Sequence, residues 1–221
     1  MPKGMRRANL TASLQFEDAC WIAGYRHVFG VDEVGRGTWA GPVAAGAVCL
    51  PYDCKDLPVV LEGVRDSKQM TPRQRERLVV RIKETAVAWG IGSATSAEID
   101  KHGIVPATLL AMRRALAAAN IQPDYLLLDS IHWQDTTKTP YQSIVRGDTL
   151  SLSIAAASIL AKVWRDDYMR QLELEFPGYQ FGQHKGYGTA KHAAALRKHG
   201  ACKEHRLSFA PLRRLAAGTK S

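Results

Sequence analysis

The stretch that decides the fold is His27-Val28-Phe29-Gly30-Val31-Asp32-Glu33-Val34-Gly35-Arg36-Gly37, with its continuation Ala44-Ala45-Gly46-Ala47-Val48-Cys49-Leu50. Two apolar runs of strand length flank a glycine-rich segment, Gly35–Pro42, that is too flexible to prolong a strand. His27–Glu33 therefore reads as a first strand and Ala44–Leu50 as a second. The first strand closes on two acids. In an open α/β sheet, strand ends are where ligands bind and reactive groups collect.

Upstream, residues 1–26 hold a short helix around Leu14–Ala23, and downstream Pro51–Gly63 reads as loop. Thr71-Pro72-Arg73-Gln74 is a helix start: threonine caps, proline suits the first helical position and glutamine reaches back. Leu78, Val79, Ile82 and Ala86 then share one face. Trp89–Ala94 reads as a strand, Ser96 as the cap of a short helix, and Ile104–Ala119 as a longer helix with Leu109, Met112 and Leu116 inward. Tyr125–Leu128 is a short apolar strand running into Asp129, Tyr141–Val145 another strand, and Ser151–Leu174 a long helix. Adjacent strands, then alternation, then closing helices predict an α/β fold: a mixed sheet flanked by helices, with a small helical C-terminal part. The expected division is a main domain over 1–176, with an N-terminal extension, and a basic helical subdomain over 177–221 packed on it.

The chain has 221 residues, enough for one well-buried core. No run approaches the ~20 apolar residues of a membrane span. Lys3, Arg6 and Arg7 open the chain without an apolar stretch behind them, so no secretory signal is expected and the cytoplasm is the default. Cys20, Cys49, Cys54 and Cys202 read as reduced thiols. The net charge of +9 is uneven: from Gln183 onward, Lys185, Lys191, Arg197, Lys198, Lys203, Arg206, Arg213, Arg214 and Lys220 face one acid, Glu204. Such a block suits a polyanion, because each neutralised phosphate releases counterions; a charged helical surface is the plainer alternative.

Asp32-Glu33 and Asp129 stand at the ends of two strands, and Asp148 lies just before a helix start. Acids gathered this way repel one another unless a cation neutralises them, and hard oxygen donors favour Mg²⁺ or Mn²⁺. With a basic flank, that chemistry is phosphoryl transfer on nucleic acid. Each acid also has a structural reading: Asp129-Ser130 starts a turn, and Asp148 caps the next helix. Alternation along a strand sends Asp32 and Glu33 to opposite faces, so both serve one site only if the strand kinks or Glu33 contributes its carbonyl. Cys202-x-x-His205 has zinc spacing amid His184, His192 and His199, but no second pair completes a pattern, and helix-surface and core contacts explain these residues better.

Beyond these patterns, Gly30 to Gly37 followed by Ala40-Gly41-Pro42-Val43 resembles the opening signature of the ribonuclease HII family, the bacterial type 2 ribonucleases H. Further similar segments follow in family order: Asp66-Ser67-Lys68, Leu127-Leu128-Asp129, Gly147-Asp148, Ile154 to Val163 with Arg165-Asp166, His184 to Thr189, and His205 to Phe209. The resemblance implies a ribonuclease H-like fold, with Asp32, Glu33, Asp129 and Asp148 as catalytic residues carrying two Mg²⁺ or Mn²⁺ ions. It implies an endonuclease incising 5′ to ribonucleotides in RNA–DNA hybrids and at single ribonucleotides embedded in duplex DNA, leaving 5′-phosphate and 3′-hydroxyl ends. It further implies that Gly35, Arg36 and Gly37 read the ribonucleotide and that Tyr187 checks that the next sugar lacks a 2′-hydroxyl. Lys68, Lys162, Lys185 and Ser158 would contact the substrate, although Lys162 equally suits a pair with Asp166 one turn on. Thr38-Trp39 and Ser130-Ile131-His132-Trp133 depart from the family's usual residues, which bears on the groove beside the site.

The expected partner is nucleic acid; no membrane contact is foreseen, a replication-clamp partner is not legible, and monomer is the default. Two other readings stay open: a basic nucleic-acid-binding protein whose acids only cap and hydrate, and a junction resolvase or integrase-like nuclease cutting all-DNA substrates.

Overall fold

A computed structural model describes residues 12–54, 56–133 and 138–218; Lys3, Arg6, Arg7 and Lys220 of the basic stretches fall outside them. The elements run α1 (Gln15–Ile22), β1 (Val28–Val34), β2 (Val43–Cys49), α2 (Leu57–Val60), a 3-10 turn (Ser67–Gln69), α3 (Pro72–Thr85), β3 (Ala88–Ala94), α4 (Ser96–His102) and α5 (Ile104–Ala118). They continue with β4 (Tyr125–Asp129), β5 (Tyr141–Ile144), α6 (Gly147–Leu150), α7 (Leu152–Glu175), α8 (Phe181–His184), α9 (Ala190–His199) and α10 (Ala210–Gly218).

The five strands form one sheet in the order β3-β2-β1-β4-β5. β1 and β3 run antiparallel to β2, whereas β1, β4 and β5 are mutually parallel, which is the mixed sheet expected.

Two helices sandwich the sheet, and strand alternation decides what each one meets. Phe29 and Val31 of β1 join Met112, Ala111 and Ala115 of α5 in one buried cluster. The other face of β1 and β2 meets α7, whose Ala155, Ala156 and Ala157 are wholly buried. This contact is closer than ordinary helix–sheet packing. A Cβ at Gly30 would lie 2.3 Å from the Ser153 carbonyl carbon, and one at Gly46 2.3 Å from the Ala157 carbonyl oxygen. Small residues on both sides thus press α7 against the strand carrying Asp32. A third cluster joins Met169 and Leu172 of α7 to Tyr179, Phe181, Leu196 and Leu212, fastening the C-terminal helices to the far half of α7 and to Ala40.

Helix starts follow local chemistry. Thr71 accepts from the Gln74 amide and Gln74 returns the bond to the Thr71 amide, the capping box foreseen. The expected cap at Ser96 is corrected to Thr95, whose hydroxyl accepts from Glu98 N–H while Glu98 bonds Thr95 N–H. The Thr-x-x-Glu spacing starts at Thr95, so Ser96 becomes the first helical residue. Pro51–Gly63 is not all loop: Pro58 in a first turn starts α2, and Leu57 and Leu61 are buried. Among the described residues no helix is long and apolar enough to cross a membrane.

Candidate active site

β1 and β4 are parallel neighbours whose pairing ends with Val31 opposite Leu128, so the next residues, Asp32 within β1 and Asp129 at the end of β4, lie side by side. Asp148 arrives from β5 through a tight turn. Arg146 takes a left-handed conformation (φ 60°), and the Gly147 N–H donates to Asp129 Oδ1 at 2.8 Å. One oxygen from each of Asp32, Asp129 and Asp148 lies within 4.8 Å of the others. Asp148 does not cap the long helix; Ser151 does, accepting from the Ile154 amide.

Glu33 stands beside this trio. Alternation turns it from Asp32, and Oε1 takes Arg36 Nη1 at 3.3 Å. Its Oε2 is buried with no hydrogen-bond partner. Burial is the main reason the Asp32 carboxyl sits well above the usual carboxylate range, with the charges of Glu33 and Asp129 adding to it. Burial likewise raises Glu33 and Asp129. Lys68 Nζ, 2.8 Å from Asp148 Oδ2, provides partial local compensation. Burial alone would lower Lys68, but its bond to Asp148 and the charges of Asp148 and Asp32 raise it overall.

Three converging carboxylates that repel one another are the donor set of a hard divalent cation, and Asp32, Asp129 and Asp148 fit one, whereas the structure does not bring Glu33 into that trio. The same repulsion gives a pH signature. A raised folded-state pKa means that the folded protein holds protons the unfolded chain has released. Stability from Asp32, Glu33 and Asp129 is thus present at low pH and lost as pH rises through their raised values. Buried His192 and His205 act oppositely: burial lowers both to about 4, so their contribution is present above the ordinary 6.5 and lost as pH falls from there toward 4. The difference between Mn²⁺-loaded and chelated protein isolates the carboxylates. Thermal denaturation between about pH 4 and 8 is expected to show Mn²⁺ stabilisation growing with pH; a pH-independent difference would contradict this.

The other expected site residues are distributed as follows. Ser158 bonds Ser67 at 2.9 Å and also hydrogen-bonds Asp32. Lys162 binds Asp166 at 2.8 Å, the ion pair foreseen as its alternative, and Asp166 also takes Arg75. Lys185 Nζ bonds the Gly182 carbonyl, while Tyr187 is 44% exposed beside it in sequence. Gly35 adopts φ +90°, and a Cβ there would meet Arg165 Nε at 2.2 Å.

Sequence reasoning missed what holds the loop Gly35–Pro42. Two fully buried arginines do: Arg165 donates to the carbonyls of Pro42, Ala40 and Lys185 and to Thr38 Oγ1. Arg206 donates to the carbonyls of Gly41 and Arg36. Arg206 was one of the residues counted toward a polyanion-binding block, and burial removes it from that surface. Ser130, a departure from the family pattern, takes φ +48°, donates to Asp129 Oδ1 at 3.1 Å and accepts from Arg146 N–H. Its hydroxyl bridges the turn after β4 to the turn that brings in Asp148. No local sequence signal marks any of these roles.

The family model described as Ribonuclease HII matches residues 29–212. A ribonuclease HII of Synechococcus sp. (strain JA-3-3Ab) is 50% identical over 206 residues, covering 93% of this chain and 91% of that protein. Among solved structures, ribonuclease H2 from Pyrococcus horikoshii OT3 superposes with a TM-score of 0.71 at 25% identity, covering 88% of this chain and 99% of that one. Bst-RNase HIII, solved in complex with Mn²⁺, has a TM-score of 0.65 at 21% identity over 91% of this chain and 73% of that one.

Proposed function

The chain belongs to the ribonuclease HII family, hydrolytic endonucleases acting on RNA in RNA–DNA hybrids, and from that premise we propose that it also incises 5′ to single ribonucleotides embedded in duplex DNA, leaving 5′-phosphate and 3′-hydroxyl ends. The observation that carries the reading is the convergence of Asp32, Asp129 and Asp148 within 4.8 Å. Those three residues, with Glu33 alongside, would hold two Mg²⁺ or Mn²⁺ ions. The similarly folded Bst-RNase HIII was solved in complex with Mn²⁺. When bound, the ions neutralise charge at the scissile phosphate and assist an in-line water and the departing oxygen.

The chain's own residues orient the substrate. The Gly35-Arg36-Gly37 loop lies beside the carboxylates and is fixed from beneath: Arg206 engages the Arg36 carbonyl and Thr38 the Gly35 carbonyl. Its amide N–H groups would donate to the 2′-oxygen and its carbonyls accept from the 2′-hydroxyl. Lys68, with its side chain 71% exposed despite the pair with Asp148, exchanges that carboxylate for a phosphate oxygen. Tyr187 offers its ring to the next sugar, where a 2′-hydroxyl would collide. Lys162 and Lys185 lend positive charge along the backbone from their anchored positions. Residues 177–221 act as a small subdomain that presents Lys185 and Tyr187.

The test is cleavage of three labelled duplexes with Mg²⁺ or Mn²⁺: one embedded ribonucleotide, a continuous RNA–DNA hybrid, and all-DNA. Cutting of the first two, lost in Asp129→Asn, is expected. Cutting of the all-DNA duplex would favour a resolvase-like activity, and binding without cutting a non-catalytic role.

A further inference from the structure

We propose that His184, His192 and His205 are positioning residues that clamp the backbone on both sides of Tyr187 and thereby set the enzyme's preference for a ribose–deoxyribose junction. The inference rests on the reading of Tyr187 given above. Tyr187 sits between Gly186 and Gly188, and glycines impose little conformation of their own, so the placement of the ring must be supplied from elsewhere.

The partners assign one consistent set of protons to the three rings. The Tyr187 carbonyl only accepts, so His192 Nδ1, 2.9 Å away, carries a proton. A neutral His192 then has its lone pair on Nε2, and His205 Nε2, at 3.0 Å, must donate to it. That leaves the His205 lone pair on Nδ1, where the Cys202 amide donates at 3.0 Å with the thiol at 3.2 Å, and the longer 3.3 Å approach of the Cys202 carbonyl to the same nitrogen carries no proton. His184 repeats the logic: Nε2 donates to the Tyr179 carbonyl at 2.7 Å, and Nδ1 accepts from the Gly186 amide at 3.1 Å. All ring nitrogens are satisfied with every ring neutral. Burial agrees, lowering all three, His192 and His205 to about 4.

One chain of bonds thus ends on the Tyr187 carbonyl, and a separate ring holds the Gly186 amide. The rings are mechanically coupled as well: His184 stacks on His192 at 4.3 Å, and Trp39 lies tilted against His192 at 5.5 Å between ring centroids. Trp39 in turn donates its backbone N–H to the Gly186 carbonyl at 2.8 Å. The same contacts account for Cys202 and His205 as packed residues, the reading preferred over zinc: His205 bonds His192 and the Cys202 amide and thiol.

Asparagine at position 192 imitates Nδ1 and keeps a donor for Tyr187, whereas glutamine imitates Nε2 and reaches His205 instead. The measurement is kcat and KM on the single-ribonucleotide duplex and on the continuous hybrid, with melting temperature as a fold check. H192Q is expected to lower the single-ribonucleotide to hybrid ratio about tenfold, mostly in kcat, since small misplacements are costly. H192N is expected to retain most of the ratio. H184Q, which loses the acceptor for Gly186, repeats the loss and serves if H192Q does not fold. In a Y187A background H192Q is expected to add no further loss.

Equal losses on both substrates, equal ratios for H192N and H192Q, or additive losses with Y187A would overturn the clamp. If Y187A leaves the ratio unchanged, the reading of Tyr187 fails instead. If Y187A lowers the ratio and the histidine variants do not, only the clamp fails.

Discussion

Asp32→Asn is expected to reduce cleavage about a thousandfold or more while making the metal-free protein more stable. The first effect follows from the place of Asp32 among the acids. It is 3% exposed, sits on the central strand just past its pairing with β4, and contributes one of the three oxygens that converge. An amide there removes one charge from the cation-binding set, and the several kcal/mol that ions supply to charge development convert to about 10³ in rate.

The second effect follows from the same crowding. Burial, Glu33 and Asp129 all disfavour the ionised Asp32. An asparagine keeps an oxygen for the Glu33 amide, which Asp32 Oδ1 now accepts at 2.8 Å, yet ends the repulsion. A gain of about 1–2 kcal/mol is expected for such an active-site substitution, or roughly 2–8 °C in melting temperature for a chain of this size. Mn²⁺ should then raise the melting temperature of the parent and leave the variant nearly unmoved. A variant both inactive and less stable without metal would mean that Asp32 is chiefly a structural acid, and the metal reading would lose its central member.

That opposition between stability and activity explains why the acids were legible from sequence. An acid at the end of an apolar strand violates the local pattern, and Asp32 and Asp129 do so on strands that periodicity already identifies. The parallel pairing of β1 with β4 then needed only to bring them into register. Glu33 was harder. Alternation warned that it would leave the Asp32 face, but its bond to Arg36 depends on where the Gly35–Pro42 loop folds. Lys162 and Asp166 lie one helical turn apart and announced their pair in sequence, whereas the second partner of Asp166, Arg75, comes from a distant helix. The capping box at Thr71 was readable because it is local. At Thr95 the neighbouring serine offered an equally plausible cap, and only the glutamate spacing separates them. Buried arginines were not readable at all. A charged residue in a basic, helical context looks like surface, and what buries Arg206 is a set of carbonyls some 165 residues earlier in the chain.

Arg165→Met gives the largest structural loss expected, and its size can be argued from the acceptors it would abandon. The guanidinium is wholly buried, and burial lowers it only to about 10, so it remains charged at neutral pH. Its compensation comes from the carbonyls of Pro42, Ala40 and Lys185 and the Thr38 hydroxyl, at 2.9 to 3.2 Å. Methionine fills much of the volume but donates nothing, leaving acceptors from two separate loops unpaired. Breaking a buried charged network this way costs about 3–5 kcal/mol, roughly 6–20 °C in melting temperature.

Lysine does not rescue the site, because a single ammonium cannot reproduce a planar fork that reaches both the loop after β1 and the Lys185 turn. Those two loops carry the residues assigned to the ribonucleotide and to the following sugar. At a temperature where Arg165→Met is still folded, cleavage at an embedded ribonucleotide is therefore expected to fall further than Mn²⁺ affinity does. The carboxylates stand on β1, β4 and α6, none of which Arg165 hydrogen-bonds. Denaturation, Mn²⁺ titration and cleavage of one preparation decide the matter: an Arg165→Lys protein within about 1 kcal/mol of the parent would show that the carbonyls need charge alone, and parallel losses of metal affinity and cleavage would show that the fork supports the whole sheet edge rather than the two loops.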